Sequence, residues 1–197
     1  MPRRSPLRAP LARPGAQPRR GRILRVGRRE EGQSLVEFAL ILTPLLFLLL
    51  GIVQFGFIFQ AYVTMSAAVR EASRDATVYV YDTTLTRAQN DTARNNIAKS
   101  TLLAAFNGLT KTTPNFVNGS SWTTTTGTGT VTSTNGDMIV TYMLPSTVTD
   151  SDPRTSWRIT VTASYHMDII VPVIGNLLPK DANGRFVIPA AATMVIN

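Results

Sequence analysis

Between Phe38 and Phe59 the chain runs for 22 residues without a charge, and only Thr43 and Gln54 in that run are clearly polar. At about 1.5 Å of rise per helical residue this is roughly 33 Å, enough to cross a hydrocarbon layer of about 30 Å. A run of this length predicts a single membrane-spanning helix near the N-terminus, and every other segment has to be arranged around it.

The charge distribution gives that helix a direction. The net charge of +8 is already complete at residue 31, where ten arginines stand against Glu30 and Glu31. The remaining chain is neutral overall, so the whole basic excess lies immediately before the apolar run. This positive-inside arrangement predicts a cytoplasmic N-terminus, a span in the cytoplasmic (inner) membrane, and an extracytoplasmic C-terminal bulk. A basic arm can also bind nucleic acid, but beside a spanning helix we expect no nucleic-acid partner and take the lipid bilayer as the first partner. The arginines of residues 1–32 alternate with Pro2, Pro6, Pro10, Pro14 and Pro18. That composition reads as a disordered basic leader.

The spanning helix is expected to begin near Gln33 or Ser34. Ser34 and Glu37 fit the S-x-x-E capping box, which is the plain structural account of that glutamate. Pro44 and Gly51 inside the span are candidate points of kinking or unwinding. Beyond Gln60 no glycine or proline interrupts the sequence up to Asp82. Ala61, Met65, Ala68, Ala72 and Ala76 recur at helical spacing opposite Arg70, Arg74 and Asp75, so the helix should continue as a stalk to about residue 80. A small-residue stripe of this kind lets another helix approach closely, or packs on the chain's own domain.

The rest, residues 81–197, reads as an exported α+β head. A second helix is expected from Thr84 to Phe106, with Asn107-Gly108 as its C-cap and Ala93, Ile97, Thr101 and Ala104 as its apolar face. Strands are expected over Trp122–Thr126, Thr128–Thr134 and Met138–Leu144, the last two joined by a turn at Asn135-Gly136. The threonine-rich stretch 123–134 suits either a solvated edge hairpin or a loop. Ser156–Met167 alternates apolar and polar residues as a half-buried strand does. Asp168–Leu178 is a mixed apolar segment, and Phe186–Ile196 reads as a last strand whose interruption at Pro189 suggests an edge or a bulge. The fold class is therefore α+β: one N-terminal transmembrane helix continuing into a helical stalk, with a small head holding a second helix and an antiparallel sheet.

No chemistry of an enzyme is visible. The chain has no cysteine and one histidine, His166, so no thiolate or multi-histidine metal site can be assembled. No nucleotide-binding or hydrolase motif occurs. We expect no cofactor and no catalytic residues.

One pattern is more specific. Gly32-Gln-Ser-Leu-Val-Glu37-Phe ahead of an apolar run resembles the processing site of type IV pilins and pseudopilins. The order Gly32, Glu37-Phe38-Ala39, Pro44, Gly51, Phe55-Gly56, then Ala67-Ala68-Val69-Arg70-Glu71-Ala72-Ser73-Arg74 resembles the TadE-like family of tight-adherence (Flp-type) pilus assembly over about residues 30–75. The resemblance implies cleavage by a prepilin peptidase between Gly32 and Gln33. It also implies a subunit-assembly role for Glu37, and as partners the peptidase, other pilus or pseudopilin subunits and the assembly machinery. The implied function is that of a minor pseudopilin; the alternative is an uncleaved single-pass envelope protein whose head is a binding module.

Overall fold

The computed structural model describes residues 28–106, 109, 116–151, 153–171 and 175–197. The leader up to residue 27, the expected Asn107-Gly108 cap and Pro172 lie outside the described residues. The elements are α1 (Arg28–Val78), α2 (Arg87–Phe106), β1 (Thr123–Gly127), β2 (Thr130–Asn135), β3 (Met138–Met143), β4 (Arg158–Met167) and β5 (Phe186–Val195). The chain divides into two compact units, Met1–Thr43 and Pro44–Asn197.

In the first unit the described residues are helical and their side chains from Gly32 onward are almost all exposed. Thr43 returns its hydroxyl hydrogen bond to the Ala39 carbonyl at 2.8 Å, the usual way a hydroxyl is satisfied within a helix. The helix starts at Arg28, six residues before Ser34. The expected start near Gln33 or Ser34 is thus corrected: Ser34 is a helix-interior residue and caps nothing. Arg28 to Glu31 contain no helix breaker, which is why the helix extends back through them.

The second unit is a two-layer α+β structure. Its five strands form one antiparallel sheet in the order β1-β2-β3-β4-β5, a meander in which each strand pairs with its sequence neighbour. Alternation decides the buried face: Met138, Val140 and Tyr142 of β3, Ile159, Val161, Ala163 and Tyr165 of β4, and Ile188 of β5 enter one core. α1 (Ala61, Met65, Ala68, Val69, Ala72, Ala76) and α2 (Ala98, Leu102, Phe106) cover that face, and Val131, Trp157 and Ile196 complete the core. The hydroxyl of Ser73 bridges α1 to β5, donating within α1 to Val69 O at 2.7 Å and lying 3.2 Å from Ala192 O.

The threonine-rich segment is an edge hairpin, with all five residues of β1 exposed. Its turn is Thr128-Gly129, and Gly129 has φ +66°. The β2–β3 turn falls one residue later than the Asn-Gly pair suggests, on Gly136-Asp137 between paired Asn135 and Met138. Gly136 has φ +59°, and a Cβ there would stand 2.0 Å from the Val117 carbonyl oxygen, so no other residue fits. At the other edge, Pro189 sits in β5 opposite Ser164, where a missing N–H is tolerated. β4 starts at Arg158 rather than Ser156, because Ser156 takes a left-handed φ of 70°.

Candidate functional site

Gly32, Gln33 and Glu37 are all exposed on α1. Nothing lies within 4 Å of where a Cβ on Gly32 would be. The Gln33 side-chain amide donates to a Glu37 carboxylate oxygen at 3.1 Å, an i, i+4 pair. With Ser34 inside the helix, Glu37 has no capping role. It is a carboxylate on the flank of a helix whose following turns expose Phe38, Leu40, Ile41 and then a nearly continuous apolar surface. A glycine in a helix interior lowers local stability by about 0.5–1 kcal/mol relative to alanine, so Gly32 is where this end opens most easily.

Pro44 lies inside α1 without ending it, and Gly51 is helical too. Gly51 is buried, and it begins a stripe that the sequence places only from Ala61 onward. Gly51, Gln54, Ile58, Ala61, Met65, Ala68, Ala72 and Ala76 follow one another at three- and four-residue steps on the covered face. Ala61, Ala68, Ala72 and Ala76, the expected helix-packing residues, all enter the chain's own core rather than a free surface. Gln54, one of two polar residues in the apolar run, is 1% exposed and accepts a hydrogen bond from the Ile170 backbone N–H at 2.9 Å. Its amide nitrogen has no partner. From the sequence alone Gln54 has no assigned role. Its value as a signal is that a polar residue five positions from the end of an apolar run marks where something other than lipid covers the helix.

The head holds a charged cluster that sequence reading missed. Asp91 of α2 receives three hydrogen bonds from Arg154, two from Nε and one from Nη2, at 2.9–3.0 Å. Arg94 Nη1 stands 3.6 Å from the same carboxylate. All three side chains are at least nine-tenths buried. The Arg154 guanidinium lies 4.2 Å from the Trp157 ring centroid and 5.3 Å from that of Tyr142, and Arg94 stands over Tyr79 and Tyr142. Tyr142 donates its phenol to Asn95 Oδ1 at 2.6 Å, and burial pushes its ionisation well above the usual tyrosine range. Two buried guanidiniums against one carboxylate are held in part by these ring faces. A cavity of about 360 Å³ opens beside the cluster, lined by Arg87, Thr124, Thr130, Asp150 and Arg154 among others. Arg154 Nη1, Arg94 Nε and Trp157 Nε1 remain without hydrogen-bond partners.

The lone histidine is a structural pin. His166 at the end of β4 places Nδ1 2.8 Å from Asp181 and Nε2 3.2 Å from Asp137, joining the β2–β3 turn to the segment before β5. Asp181 also accepts from the Arg185 and Asn183 backbone N–H groups at 2.8 and 2.9 Å. The Arg185 amide first, with the His166 and Asn183 bonds, lowers its pKa from 3.8 to about 2.

The geometry thus defines a class: among the described residues, one helix near the N-terminus long and apolar enough to cross a membrane, followed by an α+β head. Residues 32–74 match the family described as TadE-like protein. That match begins on Gly32 and lies wholly within α1, so it covers the apolar run and the buried stripe and none of the sheet. No curated protein and no solved structure matches the chain.

Proposed function

We propose that this chain is a TadE-like minor pseudopilin, a non-catalytic structural component of tight-adherence pilus assembly. In this reading it sits in the cytoplasmic membrane with its N-terminus in the cytoplasm and its head outside. A prepilin peptidase removes residues 1–32. The observation that carries the proposal is the coincidence of two boundaries: the family match starts on Gly32, and Glu37 stands exposed five residues beyond it on the flank of the apolar helix.

The chemistry follows from the new terminus. Cleavage frees an α-amine on Gln33 and removes the +8 of the leader, which otherwise holds this end against anionic lipid headgroups. An exposed carboxylate at the margin of hydrocarbon is costly. Pairing Glu37 with the Gln33 amine of a neighbouring subunit offsets that cost and sets axial register between subunits. Because Ala61, Ala68, Ala72 and Ala76 are occupied by the head, contacts between subunits use the other faces of α1 and its exposed first half. Pro44 and Gly51 bracket the segment that unwinds if packing in a filament requires it.

The test is a Glu37→Ala chain expressed with the assembly machinery. It should insert in the membrane like the parent and fail to co-purify with pilus components. Normal co-purification would remove the pairing role.

A further inference from the structure

We infer that the described residues of the connection between β4 and β5, 169–171 and 175–179, make a second membrane contact, seated in the leaflet on the head's side against the end of the apolar run of α1. The inference rests on the reading of α1 as a membrane span. Its starting point is depth. Ile170 donates its backbone N–H to Gln54, and Val171 is buried beside it at 4% exposure. Gln54 lies five residues before Phe59, the last residue of the apolar run ahead of Gln60, or about 7.5 Å of helical rise. The connection therefore meets the helix at the level of its apolar run, not above it.

The side chains suit that level. Residues 169–179 carry no charge and are bracketed by Asp168 and Lys180. Ile170 is 67% and Leu177 82% exposed, among the most exposed large apolar residues of the head. On the neighbouring helix turns Phe55, Phe59 and Tyr62 are also exposed. With Phe186, Val187 and Pro189 they line an apolar groove of about 520 Å³. In water the groove residues would form a greasy collar of the kind soluble surfaces avoid, and Ile170 is bonded to Gln54, the residue before Phe55. Continuity with the span argues for lipid as its occupant: the collar uses the same helix turns that the apolar run already commits to hydrocarbon. Lys180 lays the end of its side chain on Gly175, with Nζ and Cε 3.3 and 3.4 Å from where a Cβ on that glycine would be. Gln54 then has a role. It bonds the connection's backbone, which would otherwise be unsatisfied in a region without water.

The absence of cysteine makes single-site labelling straightforward. Nitroxides would be placed by Leu48→Cys, Ile170→Cys, Leu177→Cys and Thr125→Cys in the full chain, reconstituted in nanodiscs of phosphatidylethanolamine and phosphatidylglycerol. Collision with dissolved oxygen and with a water-soluble nickel chelate is then measured. The expected result is that positions 48, 170 and 177 favour oxygen and are several-fold protected from nickel, while 125 is open to nickel. Nickel access at 170 and 177 with protection at 48 overturns this inference and leaves the span intact. Nickel access at 48 as well overturns the span reading and this inference with it. Shielding of 170 and 177 from both probes overturns it in favour of a protein partner.

Discussion

The two helices of the core bury opposite kinds of surface. α1 presents alanines with Met65, Val69 and Ser73, spaced so that its backbone comes close to the sheet. α2 presents Asn90, Asp91, Arg94 and Asn95 in one half of its buried face and Ala98, Leu102 and Phe106 in the other. The first kind of surface is stabilised by area and close approach. The second depends on every charge finding its partner, since a buried carboxylate or guanidinium left alone is costly. One helix therefore tolerates polar change poorly through volume, and the other through charge.

The sharpest way to break this contrast is Asp91→Ala, which strands Arg154 and Arg94 beside the Trp157 and Tyr142 rings. Removing one partner of a buried pair costs about 3–5 kcal/mol. We expect the head's thermal unfolding, followed by circular dichroism in detergent, to fall accordingly. The double variant Asp91→Ala/Arg154→Leu should recover part of that loss. On α1, Ala72→Leu forces a larger side chain into a fully covered position and should destabilise by about 1–3 kcal/mol, read in the same melts.

A third test separates the buried cluster from the partly buried His166 pin. The pKa of Asp181 is lowered from 3.8 to about 2, so its contribution is complete above the unfolded value and disappears as pH falls through about 2. The melting difference between the parent and Asp181→Asn should be full at neutral pH and close progressively between about pH 4 and pH 2. The smallest effect belongs to the face of α2 opposite the cluster. Ala104 is exposed, and Ala104→Ser should stay within about 0.5 kcal/mol of the parent.

The same contrast explains what could be read beforehand. The sheet was legible because alternation along β3 and β4 matches a pleat with one buried face, while Pro189 left an edge and a bulge open. The α1 stripe was legible from Ala61 onward because small residues at helical spacing need a close neighbour. Its first turns, Gly51 and Gln54, were hidden inside a run that lipid alone would explain. The buried face of α2 was misread. Ala93, Ile97, Thr101 and Ala104 look like its apolar side, yet Ile97 and Ala104 are exposed and the buried face starts with Asn90 and Asp91. Only the partner residue Arg154, 63 positions away from Asp91, makes that polar face a core face, and no local pattern announces it. Ser34 misled in the other direction: a capping box is a local signal, and the helix simply began earlier. Around Gly32 the processing role is part of the proposal, while the Gln33–Glu37 hydrogen bond required the helix to be continuous through both.

The central claim is that Gly32 marks a cut, and the intact mass of the chain extracted from membranes of cells that contain a prepilin peptidase tests it most directly. The account predicts a mature chain beginning at Gln33, and full-length chain when Gly32→Ala is introduced. A wild-type mass that retains residues 1–32 would contradict it.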